Sequence, residues 1–182
     1  MSVVKNRALK QLLWVGMGSI AMFFAGLTSA YIVRRAEGNW TEFILPDWFW
    51  YSTITIIVSS VVLILAKQKI KQDKSVFSLV LSVFVLGLVF TFFQLNGWEE
   101  LTNQGVYLTG EGSNVAGSFL YVLTLSHLVH LIGGLIALLV TAINAKREKY
   151  SAENYLGLEI TSVYWHFLSI LWIYLFCFLK YL

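Results

Sequence analysis

The sequence predicts an all-α integral membrane bundle of five transmembrane helices. Three observations lead there. Of the 182 residues, 58% are hydrophobic and only 13% are charged, about half the roughly 25% usual in a soluble domain. The charges fall in short clusters that leave the uncharged stretches 11–33, 48–66, 75–98, 112–145 and 160–179. Each stretch can cross a hydrocarbon core about 30 Å thick, which takes about 20 helical residues. None alternates polar and apolar residues over about 10 positions, as the strand of a membrane barrel does. The same composition excludes a soluble globular enzyme and a disordered chain. The single cysteine, Cys177, rules out an internal disulfide framework.

The elements follow in order. Helix one, at 11–33, exceeds the roughly 7–15 residues of a signal-peptide core. It ends in Arg34-Arg35 without a small-residue cleavage site, so it is expected to be retained. Its Ala21, Ala25 and Ser29, spaced by four beside Gly18 and Gly26, predict a packing seam, because small residues let helices approach in lipid. Pro46 lies in the first connection, where its missing N–H costs nothing. Helix two is placed at 48–66. Helix three, at 75–98, carries Ser78 and Ser82 as a second seam and Gln94 late in the span. The fourth stretch opens with Gly112, Ser113, Asn114 and Gly117, which read as a loop and helix entry. Helix four is therefore placed at 115–144, with Gly133, Gly134 and Ala137 as contact residues. Helix five is placed at 156–180. No internal repeat is visible, and residues 1–182 read as a single membrane domain.

Charge placement predicts the direction of threading. Lys5, Arg7, Lys10, Lys67, Lys69, Lys71, Lys74, Lys146, Arg147 and Lys149 fall on one side of a five-span chain, against Arg34, Arg35 and Lys180 on the other. Basic residues concentrate in cytoplasmic connections, so the N-terminus is expected in the cytoplasm and the C-terminus outside. This pattern also accounts for the net charge of +3 without a nucleic-acid partner. Trp40, Trp48, Trp50 and Trp98 are placed to form an aromatic belt at the outer face.

Ionisable and polar groups inside a membrane are functional candidates, and few occur here. His127 and His130 stand three residues apart in helix four, sharing one face. Helix five carries Glu159, Ser162, His166 and Ser169 as a polar stripe, expected to face the histidine stripe or a partner protein. The histidines are open to three readings: hydrogen bonds between helices, a proton or lipid-head-group role, or metal ligation. Two histidines on one helix cannot clamp both faces of one porphyrin, although His166 with His127 or His130 could. No metalloprotease motif, phosphate loop or paired carboxylates occur within the spans. No self-contained catalytic site emerges, so a subunit of a larger complex is expected.

At these residues the sequence resembles subunit III of the haem–copper oxidases, in its five-helix bacterial form. Five elements carry the resemblance in order. They are Gly16-Met17-Gly18-Ser19 with Met22-Phe23-Phe24-Ala25-Gly26-Leu27 and Ala30-Tyr31; Pro46 with Trp50-Tyr51-Ser52-Thr53 and Ser59-Ser60; Phe90-Thr91-Phe92-Phe93-Gln94 with Trp98 and Glu100; Gly117-Ser118-Phe119 with His127-Leu128-Val129-His130 and Ile132-Gly133; and Leu156-Gly157-Leu158-Glu159 with Tyr164-Trp165-His166-Phe167 and Trp172.

The resemblance implies a non-catalytic subunit of a bacterial inner-membrane terminal oxidase, most closely an aa3-type cytochrome c oxidase. Such a subunit packs on subunit I, holds structural phospholipids and supports proton uptake and stability. The complex reduces O2 to water and pumps protons. Haem and copper are expected in partner subunits and none in this chain. Subunit II, small subunits and an upstream quinol-oxidising complex are further implied partners. Implied lipid or subunit contacts are His127, His130, Glu159, Trp165, His166, Gln94 and Glu100. Where many members carry glutamate, glutamate and aspartate, this chain has Ile20, Gly97 and Ser169, which weakens any carboxylate relay through it. The outer loop 103–114 is longer than expected and could contact a partner. The rival readings are an accessory subunit of a nitric-oxide reductase, a haem-b membrane anchor and a small transporter.

Overall fold

Five helices account for almost the whole chain: α1 (Val3–Ala36), α2 (Trp48–Ile70), α3 (Phe77–Asn103), α4 (Val115–Lys146) and α5 (Leu156–Tyr181). All five are long and apolar enough to cross a membrane. The computed structural model describes residues 3–38, 40 and 43–182, without the side chains of Val3 and Lys5. The Lys5 side chain in the topology argument thus lies outside the described residues.

Several helices run past the uncharged stretches, α1 through Lys10 at its start and α2 past Lys67 to Ile70. A charge ends an apolar run but not a helix, because lysine and glutamate favour helix and extend their heads to water. The start of α4 is set by Asn114, whose side chain accepts the Gly117 N–H at 2.6 Å, supplying one of the acceptors that a helix N-terminus lacks.

The backbones of α2, α3, α4 and α5 form a closed ring, each packed on two neighbours, and α1 lies outside it against α4 and α5 only. The ring encloses Leu63, Val83, Phe90, Leu123, Leu131 and Leu168, all fully buried. Surrounding lipid is as apolar as these side chains, so burial alone scarcely favours this arrangement over separated helices. Close approach and hydrogen bonds between helices decide it.

Close approach between helices is concentrated at three glycines. A Cβ at Gly87 of α3 would stand 2.6 Å from a Leu135 methyl and 2.8 Å from the Trp165 ring. One at Gly97 would stand 2.8 Å from the Phe49 ring, and one at Gly134 of α4 about 3.0 Å from Leu168 and 3.1 Å from Trp165. Large aromatic rings therefore fill the space these glycines leave.

The expected seam on α1 is not a seam within this chain. Gly18, Ala21, Ala25, Gly26 and Ser29 are exposed, and a Cβ at Gly18 or Gly26 would meet nothing within 4 Å. The contact stripe of α1 is instead Met17, Phe24, Thr28 and Tyr31, three of them large side chains that reach the ring. Ser78 and Ser82 of α3 are likewise exposed, Ser82 donating to the Ser78 carbonyl at 2.9 Å. A hydroxyl that bonds its own helix needs no neighbour.

Contacts at the two ends show which connections lie together. At one end, Lys10 of α1 pairs with Glu159 of α5 at 2.8 Å, and the Asp73 carboxylate accepts the Ala152 N–H at 2.7 Å. This end gathers the start of α1 with the α2–α3 and α4–α5 connections, and hence ten of the 13 lysines and arginines. We call it the basic end. At the opposite end, Lys180 sits 4.1 Å above the Trp50 ring, and Tyr31 lies between Trp40 at 4.7 Å and Phe178 at 4.9 Å.

The contrast between tight and open glycines can be measured. Gly87→Leu should destabilise the bundle by about 1–3 kcal/mol through overpacking, read by thermal unfolding in detergent. Gly16→Leu, with nothing within 4 Å of its Cβ position, should stay within about 0.5 kcal/mol.

Candidate functional site

The polar interior is organised by one face of α2. Phe49, Ser52, Thr53, Ile56, Ser59, Leu63, Ala66 and Ile70 are its buried residues. Ser52 donates to the Phe49 carbonyl at 2.9 Å, Thr53 to the same carbonyl at 2.7 Å, and Ser59 to the Ile56 carbonyl at 2.7 Å. With each hydroxyl hydrogen committed to its own helix, each oxygen is left to accept from a neighbour. Ser59 accepts the Trp165 indole N–H at 3.0 Å, Thr53 that of Trp172 at 2.9 Å, and Ser52 the Gln94 amide N–H at 2.8 Å. Next to Ser59, Ser60 pairs with Nδ1 of His166. Four hydroxyls of α2 thus hold three side chains of α5 and one of α3.

Aromatic rings fill the space around these bonds. Trp172 stacks on Phe49 at 6.0 Å and meets the edge of Phe90 at 5.1 Å and the His127 ring at 5.1 Å. His127 is fully buried and donates through Nε2–H to the Leu168 carbonyl at 3.0 Å. This carbonyl, one turn before Trp172, ties α4 to α5. Thr141 and Thr161 add a second tie between these helices at 2.9 Å.

The two histidines of α4 have different surroundings. His130 is half-buried, donates from Nδ1 to its own helix at the Ser126 carbonyl at 2.7 Å, and lies 5.7 Å from the Phe24 ring of α1. His127 faces into the ring and His130 faces α1. The expected stripe of α5 also divides. Glu159 goes to Lys10 of α1, His166 to Ser60 of α2, and Ser169 back to the Trp165 carbonyl at 2.9 Å. The stripes of α4 and α5 therefore do not face each other. Their helices meet instead through His127 and the Leu168 carbonyl, through Tyr164 donating to the His130 carbonyl at 3.2 Å and through a pair of threonines.

The structure does not bring all seven candidate residues into one site. Trp165, His166 and Gln94 belong to the α2 network, and His127 adjoins it through Trp172 and Phe90. Glu159 lies at the basic end, and Glu100 near the opposite end of α3 has no ion pair among the described residues. No group of three or more His, Cys, Asp or Glu that could hold a metal occurs among the described residues. Cys177 is exposed. Trp98, expected in the aromatic belt, turns inward to donate to Thr124 of α4 at 3.0 Å.

The α2 hydroxyls were not singled out by polarity, because serine and threonine are common in membrane helices and usually bond to their own backbone. The available signal was their register. Ser52, Ser59 and the buried Ile56, Leu63, Ala66 and Ile70 repeat at 3–4 residues, so the hydroxyls share the core face. Two polar atoms of the network remain unpartnered among the described residues, the Gln94 Oε1 and the His127 Nδ1.

This geometry defines a class: a multi-pass membrane protein whose polar groups serve mainly to hold helices together. Comparison with known proteins identifies the family. Residues 47–182 match the family described as cytochrome c oxidase subunit III. The chain is 33% identical to a probable cytochrome c oxidase subunit 3 of Nocardia farcinica over 171 residues, covering 89% of this chain and 82% of the relative. It is 32% identical to the probable subunit 3 of Mycobacterium bovis with the same coverage. It is 29% identical to cytochrome c oxidase subunit 3 of Thermostichus vulcanus, covering 87% of this chain and 79% of the relative. The chain belongs to the cytochrome c oxidase subunit III family, and membership implies an oxidase complex.

The α2 network can be tested by a double-mutant cycle on Ser59→Ala and Trp165→Phe. Both single changes should destabilise the chain, and the two together by less than their sum. The coupling should be about 0.6–1.7 kcal/mol, the range for hydrogen bonds between membrane helices, measured by unfolding in bicelles.

Proposed function

We propose that this chain is a non-catalytic subunit III of a bacterial aa3-type cytochrome c oxidase. It sits in the inner membrane with its N-terminus in the cytoplasm. It packs on subunit I, within a complex that includes subunit II and small subunits. There it holds phospholipids and supports proton uptake and stability while partner subunits, carrying haem and copper, reduce O2 to water. The orientation is supported by the ten lysines and arginines at the basic end.

One observation carries the packing role: the open face of α1. Gly18, Gly26 and Ser29 lie away from the stripe Met17, Phe24, Thr28 and Tyr31 that meets α4 and α5. Small residues on a helix face favour close approach by a second helix, and none of this chain's own helices covers that face. His130 stands behind α1, against Phe23 at 6.4 Å and Phe24 at 5.7 Å. His130 thereby fixes the angle at which α1 presents its open side. Loss of this support would act on assembly before it acted on haem chemistry. The single ion pair of Glu159 at the basic end and the absence of carboxylates at Ile20, Gly97 and Ser169 favour a supporting role in proton uptake over a relay through this chain.

The test is Gly18→Leu with Gly26→Leu. Neither position has a neighbour in this chain, so the chain should still insert and fold. Its association with the haem-bearing subunit should weaken about tenfold, equivalent to about 1.4 kcal/mol, read as the amount of this chain co-purifying with oxidase. Undiminished co-purification would contradict the assignment of α1 as the contact face.

A further inference from the structure

At one level of the ring, all four helices contribute a polar group. Ser52 and Thr53 of α2 are neighbours there. Gln94 of α3 donates to Ser52 at 2.8 Å, and Trp172 of α5 donates to Thr53 at 2.9 Å. The Trp172 ring lies 5.1 Å from that of His127 on α4. Along the antiparallel seam of α3 and α4, Gly87 meets Leu135 and Trp98 meets Thr124. Gln94 lies between Gly87 and Trp98, so it comes level with the turn of α4 that carries His127. Phe90, one turn before Gln94, lies 5.9 Å from the His127 ring. Gln94 is 1% exposed and His127 0%, and each keeps one polar atom without a partner, Oε1 and Nδ1.

Both atoms are acceptors, and their neighbours decide it. The Ser52 hydroxyl hydrogen goes to the Phe49 carbonyl at 2.9 Å. Ser52 therefore accepts from Gln94, whose amide presents its NH2 there and keeps Oε1 for another donor. The Leu168 carbonyl can only accept, so Nε2 of His127 carries the hydrogen between them at 3.0 Å. A second proton on this ring would make a charge with no ion-pair partner among the described residues, which is costly at membrane depth. Nδ1 is thus a bare lone pair. The nearby donors are already used. The Trp172 and Trp98 indoles go to Thr53 and Thr124, and the Thr53 and Thr124 hydroxyls go to the Phe49 and Leu120 carbonyls. Two buried acceptors left without a donor would both cost stability.

We propose that one water molecule binds at this level, donating one hydrogen to Gln94 Oε1 and the other to His127 Nδ1. Water carries two donors on one atom, the number that the two acceptors need. Buried waters make about 2–4 hydrogen bonds, typically to polar groups that the fold leaves unpaired, and bridge such groups nearly as well as a direct bond. The water closes a circuit through the ring. Ser52 of α2 accepts from Gln94 of α3, and the water joins Gln94 to His127 of α4. His127 donates to Leu168 of α5, and Trp172 of α5 returns to Thr53 of α2. Among the described residues, the direct side-chain hydrogen bonds between α3 and α4 are Trp98 to Thr124 and Thr102 with Tyr121, both away from the basic end. The water adds a tie between these helices deeper in the membrane. It is internal to this chain and so independent of the partners proposed above.

The test is NMR of the full chain in lipid nanodiscs, with nitrogen- and carbon-labelled histidine and glutamine. In the native chain, magnetisation should pass from water to two carbon-bound sites, the His127 Hε1 proton and the Gln94 Hγ protons. Both signals should vanish in deuterium oxide. The His127 nitrogens should read as a protonated Nε2 and an unprotonated Nδ1 that accepts a hydrogen bond. Gln94→Met keeps an unbranched chain and removes the amide. It should abolish the water signal at His127 Hε1 and move Nδ1 toward the shift of an unbonded ring nitrogen, with the Trp165 indole resonance in place as the sign of an intact bundle. Transfer from water to neither site, or to only one, in the native chain would overturn the bridge whether or not the variant folds. So would a protonated Nδ1, which would bond Gln94 directly, and so would an unchanged water signal at His127 in a folded Gln94→Met chain.

Discussion

An indole N–H in the middle of a membrane has no water to bond to, and leaving it unpaired costs more than the bond itself contributes. This chain buries two such groups, on Trp165 and Trp172, each with no exposed surface. Their acceptors are hydroxyls of α2, already oriented because their own hydrogens bond α2 carbonyls. The position of α5 against α2 follows from this constraint. So does that of α3, through Gln94 on Ser52 and through the space that Gly87 leaves for the Trp165 ring. His127 then joins α4 to the same assembly at the Leu168 carbonyl. Each polar bond lies beside a glycine or an aromatic ring that keeps out lipid, so hydrogen bonding and close packing reinforce each other.

The same constraint explains why α1 differs. It lies outside the ring and joins it at the ends and the middle through few polar contacts. Among those of the described residues are the Lys10–Glu159 pair, Tyr174 donating to Thr28 at 2.9 Å, and the rings around His130. Both Lys10 and Glu159 are partly exposed, and such a pair is worth little alone. A helix held this lightly, with small residues facing away from its own chain, is suited to being clasped from the far side. Membership of the subunit III family supplies the setting in which a partner would do so.

Much of this was legible in the sequence, for identifiable reasons. Five spans follow from where charges interrupt apolar runs. The collection of basic residues at one end follows from their alternation between connections. The start of α4 could be read from Asn114 because a helix N-terminus needs an acceptor. The failures share one cause: spacing says which residues lie on a face, but not which face meets which helix. Ala21, Ala25 and Ser29 look like a contact wherever they point; here all three are exposed, Ala21 and Ala25 along a groove beside α5 and Ser29 facing away. The stripe from Glu159 to Ser169 is real as a spacing, yet Glu159 reaches α1, His166 reaches α2 and Ser169 its own backbone. Gly87 carried no sequence mark beyond being glycine and Gly97 was marked only as lacking a carboxylate, because the rings that fill their space come from other helices.

The buried indoles of Trp165 and Trp172 are bonded to α2 hydroxyls, and the whole arrangement of α2, α3 and α5 depends on it. The most direct measurement is the Nε1–H resonance of each tryptophan by nitrogen-proton NMR of the protein in lipid nanodiscs, with Ser59→Ala and Thr53→Ala as separate variants. Trp165 and Trp172 should exchange with solvent deuterium far more slowly than Trp50 at the membrane edge. Ser59→Ala should shift the Trp165 resonance and leave Trp50 in place, and Thr53→Ala should do the same for Trp172. Exchange of the two buried indoles as fast as that of Trp50, with no response to either hydroxyl, would contradict it.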